Sequence, residues 1–161
     1  MIEIKGLEKL QVKLKNLQNL QNRTAPLITQ LGETLKNSIE DSFENEKSPF
    51  GERHKPLSQS TLKNKLKNGK SERILRRDGN LADNWVLNTT NTKASVSNNT
   101  NFKGFAYGLA HQFGANGAGR GKNIKIPARP FLPVDKNGKL ESRTENTIKN
   151  ETVKFIKDLL K

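Results

Sequence analysis

The chain predicts an α+β fold: a small antiparallel sheet packed with two long helices, plus a long basic loop and a mobile Gly-rich loop. Three observations predict it. Apolar residues recur at steps of three and four over residues 7–46 and again near the C-terminus. Short segments between them alternate apolar and polar with a period of two. Clusters of Gly, Asn and Pro punctuate those segments as turns do.

Taken in order, Leu7, Leu10, Leu14 and Leu17 mark a first helix, which can extend as an arm or pack on the second. Thr24 is the expected N-cap of that second helix, with Pro26 just inside it. Leu27, Ile28, Leu31, Leu35, Ile39, Ser42 and Phe43 then share one face through about Glu46, and the Lys47 to Gly51 segment ends the helix. Ser58 to Lys67 reads as a short helix capped by Ser58 or Ser60, with Leu62 and Leu66 on one side. Asp78-Gly79-Asn80 is a turn signal. Trp85-Val86-Leu87 reads as a strand, and Lys93 to Ser97 as its hairpin partner. Phe105 to Leu109 fits helix or strand equally. Ile124 and Ile126 suit a further strand, and Ile148, Phe155, Ile156 and Leu159 mark a C-terminal helix within residues 141–161. Ala115 to Asn123 is mostly Gly, Ala and Asn with Arg120 and Lys122; its small apolar surface predicts a mobile loop.

The 161 residues can bury a usable core. Hydrophobic content of 32% and a mean hydropathy of −0.81 make that core lean. Cysteine is absent, which excludes a disulfide framework, a thiol nucleophile and Cys-based zinc binding. No apolar run approaches the roughly 18 residues of a membrane span, and Met1 to Lys5 has no apolar signal-peptide core. A protein made in the cytosol, without membrane contact, is expected.

The net charge of +13 is uneven. Residues 47–77 hold ten Lys/Arg against two Asp/Glu. Lys63, Lys65, Lys67, Lys70, Arg73, Arg76 and Arg77 form the block that would face an anion or DNA. A solvated loop and an acidic protein partner are the other readings. The block has no interleaved aromatics, and no helix-turn-helix, zinc or single-strand-binding signature accompanies it.

Catalysis has little support, and neither a cofactor nor a metal is expected. His54 sits among Arg and Lys, which oppose its protonation, and His111 has the surroundings of a packed histidine. No ligand spacing offers a metal site. Gly117 to Lys122 lacks the Gly-Lys-Ser/Thr ending of a phosphate-binding loop.

The densest motifs are Ala-Tyr-Gly-Leu-Ala-His-Gln-Phe-Gly (residues 106–114) and Ile-Pro-Ala-Arg-Pro-Phe-Leu (residues 126–132). Pro127 and Pro130 bracket Ala128-Arg129, and each pushes the residue before it into extended geometry, a stiff shape suited to docking on another surface or to ending a strand. Arg and Phe are typical interface anchors. His111, Gln112, Phe113, Arg129, Pro130, Phe131 and Leu132 are therefore the candidate assembly interface.

Together with Pro49 to Arg53 running into Pro56-Leu57-Ser58, and with Ile74 to Leu81, these motifs resemble the phage virion morphogenesis family. These are the tail completion proteins of Mu-like and related contractile-tailed phages. His54-Lys55 stands where that family tends to have an aromatic, and Asp78-Gly79 where it has Thr-Gly. The resemblance runs from about residue 30 to 133. It implies a structural, non-enzymatic protein of tail completion or head-tail joining. Its partners would be other tail or neck proteins and further copies of itself in a ring, with possible non-specific DNA contact. It would be found in the host cytoplasm during assembly and then in the virion. A nucleic-acid-binding protein using the basic block is the alternative. One domain is expected over residues 1–161: an arm (1–22), a family-like body (23–140) and a terminal helix (141–161).

Overall fold

Helix α3 (Ala25–Asn45) carries the rest of the molecule. The computed structural model describes residues 7–119 and 121–160; the Met1 to Lys5 reading and Arg120 of the Gly-rich segment lie outside them. Before α3 come α1 (Leu7–Gln18) and the single turn α2 (Leu20–Arg23). After it come α4 (Gln59–Lys67), α5 (Asn80–Asp83), β1 (Val86–Thr89), β2 (Ala94–Ser97), α6 (Tyr107–Phe113), β3 (Ala115–Ala118), β4 (Ile124–Ile126) and α7 (Ser142–Leu159). The fold is α+β, as the patterning predicts.

The apolar face of α3 forms as its periodicity requires, with Leu27, Ile39, Ser42 and Phe43 buried. The β1–β2 hairpin and α7 both pack on this helix. Gly32 lets the hairpin approach: a Cβ there would stand 2.5 Å from Leu87 Cδ1 and 3.0 Å from Ala94 Cβ. Helix α7 is capped by Glu141, whose carboxylate accepts from the backbone N–H of Arg143 and Thr144 at 2.7 and 2.8 Å. Glu151 of α7 accepts from the Thr34 hydroxyl of α3. The N-terminal segment packs rather than extends, with Asn16 Nδ2 donating to Leu159 O at 3.2 Å.

The core joins Ile39, Phe43, Leu81, Ala82 and Phe131. Phe43, Trp85 and Phe131 form an aromatic trio with centroids 5.1 to 6.4 Å apart.

The structure refines five local expectations. Strand pairing forms two separate two-stranded sheets, β1–β2 and β3–β4, rather than one. Thr24 stands at the N-cap of α3 with Pro26 in the first turn, as expected, but its side chain makes no capping bond and its hydroxyl donates to Asn91 O. On α4 the cap is Ser58, as expected, but the buried residue is Lys65 while Leu66 is 51% exposed. Phe105 lies outside α6, which starts at Tyr107. Half of the Gly-rich segment is strand: Ala115 pairs with Ile126 and Ala118 with Ile124 across a bulge. Ladder hydrogen bonds need no side-chain area, and Gly117 and Gly119 supply the positive φ that the bulge and turn require.

Candidate assembly surface

The two densest motifs are each other's partners. Gln112, 2% exposed, turns into the body from α6. Its Oε1 accepts from the backbone N–H of Phe131 and Leu132 at 2.9 and 3.0 Å, and its Nε2 donates to Val134 O at 3.4 Å. The Arg129 N–H donates to His111 O at 2.7 Å. Gly114 closes α6 at φ 77°, where a Cβ would meet Ala128 N at 3.1 Å and Ile126 O at 3.2 Å. The chain therefore needs glycine here for both conformation and space.

The proline-stiffened segment faces inward, which corrects its reading as an exposed dock. Arg129 is 6% exposed and reaches back to the Lys55-Pro56 backbone: Nε donates to Lys55 O at 2.7 Å and a terminal nitrogen to Pro56 O at 3.0 Å. Burial pulls its guanidinium below its ordinary pKa. Phe131 is a core residue at 2% exposure, Leu132 packs against that core, and Pro130 is half-buried. The Pro130 carbonyl lies 2.8 Å from His54 Nε2. His54 is buried, and that burial, with the positive charge of Arg129, holds its pKa below the ordinary 6.5 despite the Pro130 bond and Glu46. Burial lowers the pKa of His111 as well, with Arg129 adding to it. Among the described residues neither histidine has a hydrogen-bonded carboxylate partner of the kind a general base uses.

The basic block is largely neutralised from within. Lys65, 6% exposed, donates from Nζ to Arg73 O at 2.6 Å and Arg76 O at 2.9 Å; burial lowers its pKa. Arg73 binds the backbone carbonyls of Phe43 and Glu44 and the Glu44 carboxylate. Arg76 bridges Glu44 and Asp83 at 2.9 and 3.0 Å. Lys70 holds Asp78, whose second oxygen is 3.7 Å from Arg77. These arginines keep the Glu44 carboxyl below its usual range. Lys63, Lys67 and Arg77 remain exposed. The Arg and Lys side chains clip the 70–78 loop to α3 and α5, so most of their charge is met before a partner arrives.

Large apolar side chains are exposed at several places, among them Val12, Val86 and Ile124, and four of them fall in one stretch of the chain. Phe102 is 67% exposed, Phe105 57%, Leu109 59% and Phe113 50%. Leu109 and Phe113 stand one turn apart on the outer face of α6, whose inner face is Ala110 and Gln112. Of this group the sequence reading selected Phe113 alone. The spacing of four between Phe105, Leu109 and Phe113 was the available signal. Beside Phe102 and Phe105 opens a cleft of about 530 Å³, walled by Leu57, Leu75, Leu81, Tyr107 and His111.

Among the described residues no group of His, Cys, Asp and Glu could hold a metal ion, and no helix is long and apolar enough to cross a membrane. A body locked by internal backbone clamps and presenting a band of exposed aromatics is the form of a small α+β binding protein. The comparisons give the class its name. The chain belongs to the phage virion morphogenesis family, whose model matches residues 5–152. It is similar to Mu-like prophage FluMu G protein 2 of Haemophilus influenzae, with 29% identity over 131 residues, 81% of each chain. No solved structure matches it. The protein is thus a structural component of phage particle assembly.

Proposed function

We propose that this protein completes the phage tail or joins it to the head, by stoichiometric binding to other tail or neck proteins and without catalysis. The observation that carries this reading is the band of Phe102, Phe105, Leu109 and Phe113. Four large apolar side chains at half exposure or more are costly to leave in water on a chain whose mean hydropathy is −0.81. A partner that covers them removes that cost. In this reading the protein is made in the host cytoplasm and remains in the virion. It assembles as a ring, because head-to-tail contacts between copies close into cyclic symmetry. Nucleic-acid binding is the less supported alternative, since Lys65, Lys70, Arg73 and Arg76 already have internal partners.

The test is complementation. Phage lacking this gene should accumulate incomplete tails that purified protein restores to head joining. The Leu109→Ser, Phe113→Ser double variant should fold normally and fail to restore it. Full rescue by that variant would remove the band from assembly. Normal particles without the gene would sink the assembly function itself.

A further inference from the structure

The cleft beside α6 has a built mouth. Phe102 and Phe105 exchange backbone hydrogen bonds, N–H to O at 3.0 Å in both directions. The two residues between them, Lys103 and Gly104, have φ of 50° and 79°. A two-residue connection with positive φ at both positions and reciprocal bonds has the character of a type I′ hairpin turn. Residues paired across such a turn project to the same side. The turn therefore sets two phenylalanines next to each other at the opening, fixed before any partner binds. Lys103 is at the tip, its Nζ 5.7 Å from the Phe102 ring. Leu75, also in the cleft wall, has a φ of 59°, a conformation that a bulky residue rarely adopts. Its neighbours fix that conformation: Lys65 Nζ clamps the carbonyls of Arg73 and Arg76 on either side of it. Leu57 and Leu81 complete an aliphatic interior.

The stretch of chain that forms this mouth carries one sign of charge in its sequence. From Asn84 to Val134 the chain has no Asp or Glu, yet holds Lys93, Lys103, Arg120, Lys122, Lys125 and Arg129. Along the cleft itself Lys65 is held by backbone carbonyls and Arg76 by Glu44 and Asp83, so the cations open to a partner are Arg77, 60% exposed beside Asp78, and Lys103 at the tip. A second copy presenting the same face would oppose like charges, and the whole chain carries +13. An occupant that matches must be apolar where it enters and acidic around that point.

We propose that this cleft receives an aromatic or aliphatic side chain from an acidic segment of a neighbouring virion protein, gripped between Phe102 and Phe105 with Lys103 and Arg77 meeting the flanking carboxylates. The proposal rests on the assembly reading and specifies the chemistry of the partner. A cavity of this size accommodates one or two large side chains, and a preformed apolar mouth with a charged rim is how short segments are captured.

Photo-crosslinking during particle assembly tests it. Phe105 is replaced by photoreactive p-benzoylphenylalanine, and in a second variant Phe102 is; at 57% and 67% exposure neither site is needed for folding. Irradiated assembling lysates are digested and the attached peptide is sequenced. The expected peptide comes from another virion protein and is rich in Asp and Glu around a large apolar residue. Adding Arg77→Glu and Lys103→Glu should lower its yield about tenfold or more, since like charges then face each other. Attachment to a second copy of this chain, to DNA, or to a basic segment would overturn the proposal. So would particles that form normally and give no adduct from either site. Those results leave the assembly reading standing, because that reading fails only if particles mature without the protein.

Discussion

Replacing Gln112 by Ala tests the idea that the two motifs hold each other. The side chain is 2% exposed and its Oε1 is the acceptor for two backbone N–H groups, of Phe131 and Leu132. Phe131 N–H and Gln112 are both buried, so water cannot readily replace the lost acceptor. An orphaned buried donor costs about 1–3 kcal/mol, and two are created here, so the loss should be about 2–5 kcal/mol. The weaker bond from Nε2 to Val134 O, at 3.4 Å, adds little. For a chain of this size about 1 kcal/mol moves the midpoint by about 2–4 °C, which places the expected fall at about 4–20 °C. Thermal unfolding followed by far-ultraviolet circular dichroism, together with urea titration, reads it directly. Gln112→Glu gives the internal comparison. It keeps both acceptors, but sets an anion in a buried site and turns an oxygen toward Val134 O. It too should destabilise. If Gln112→Ala lies within about 0.5 kcal/mol of the parent, the site is not a clamp and the convergence of the motifs is incidental.

Other outcomes follow from the same contacts. Phe131→Ala should cost about 3–5 kcal/mol by opening a cavity beside Phe43 and Trp85. Arg129→Lys should also destabilise, because an ammonium cannot reproduce the forked contact with Lys55 O and Pro56 O; urea midpoints measure both, and an unchanged midpoint for either would return that residue to the surface. Gly32→Ala should destabilise by about 1 kcal/mol despite a helix-propensity gain of similar size, since Ala94 Cβ at 3.0 Å cannot yield without moving β2; a raised melting temperature would refute the close approach. Stability should fall on acidification from about pH 6.5. His54 and His111 have folded pKa values below their unfolded ones, so the unfolded chain binds the extra protons. Their contribution is complete above that pH and is lost as pH falls toward the folded values. The lowered carboxyls of Glu44, Asp78 and Glu141 extend the decline below about pH 4.5. Urea titrations between pH 8 and 5 should show the first part, and His54→Gln should flatten it if the imidazole is responsible.

What the sequence reveals here is what local spacing encodes. Helix α3 is legible because Leu27, Ile39 and Phe43 fall on one face, and β2 because Lys93 to Ser97 alternates. Ser58 announces α4, since a side-chain oxygen before a helix has a backbone N–H to accept from, here that of Thr61. The misreadings are tertiary. Lys65 reads as a solvated charge until the 70–78 loop folds over it and offers two carbonyls. Arg129 reads as an anchor for a partner, and it is an anchor, but for the chain's own Lys55-Pro56 backbone, 74 and 73 positions away. Stiffness and residue type were right while the target was not, because nothing in a seven-residue motif says which surface it meets. Strand β3 escaped because its pairing uses backbone groups, which composition does not display.

The inward turn of these motifs bears on how assembly specificity is written into the chain. Residues 49–58, 74–81, 106–114 and 126–132 carry the resemblance to the family; the bonds of His54, Gln112 and Arg129 tie the first, third and fourth of these segments together, and Lys65 of α4 holds Arg76 of the second. They define a body. Phe102, Phe105 and Leu109 stand on the outside of that body, and none is required by a clamp. Two of the three lie in the 102–105 turn, which precedes the 106–114 motif, and Leu109 occupies the outward face of a helix whose inward face is fixed by Ala110 and Gln112. A change at an inward position therefore alters the folded population seen by every partner, whereas a change at an outward position alters one contact at constant stability. Stability and particle-joining measurements on the same variants should separate into these two groups.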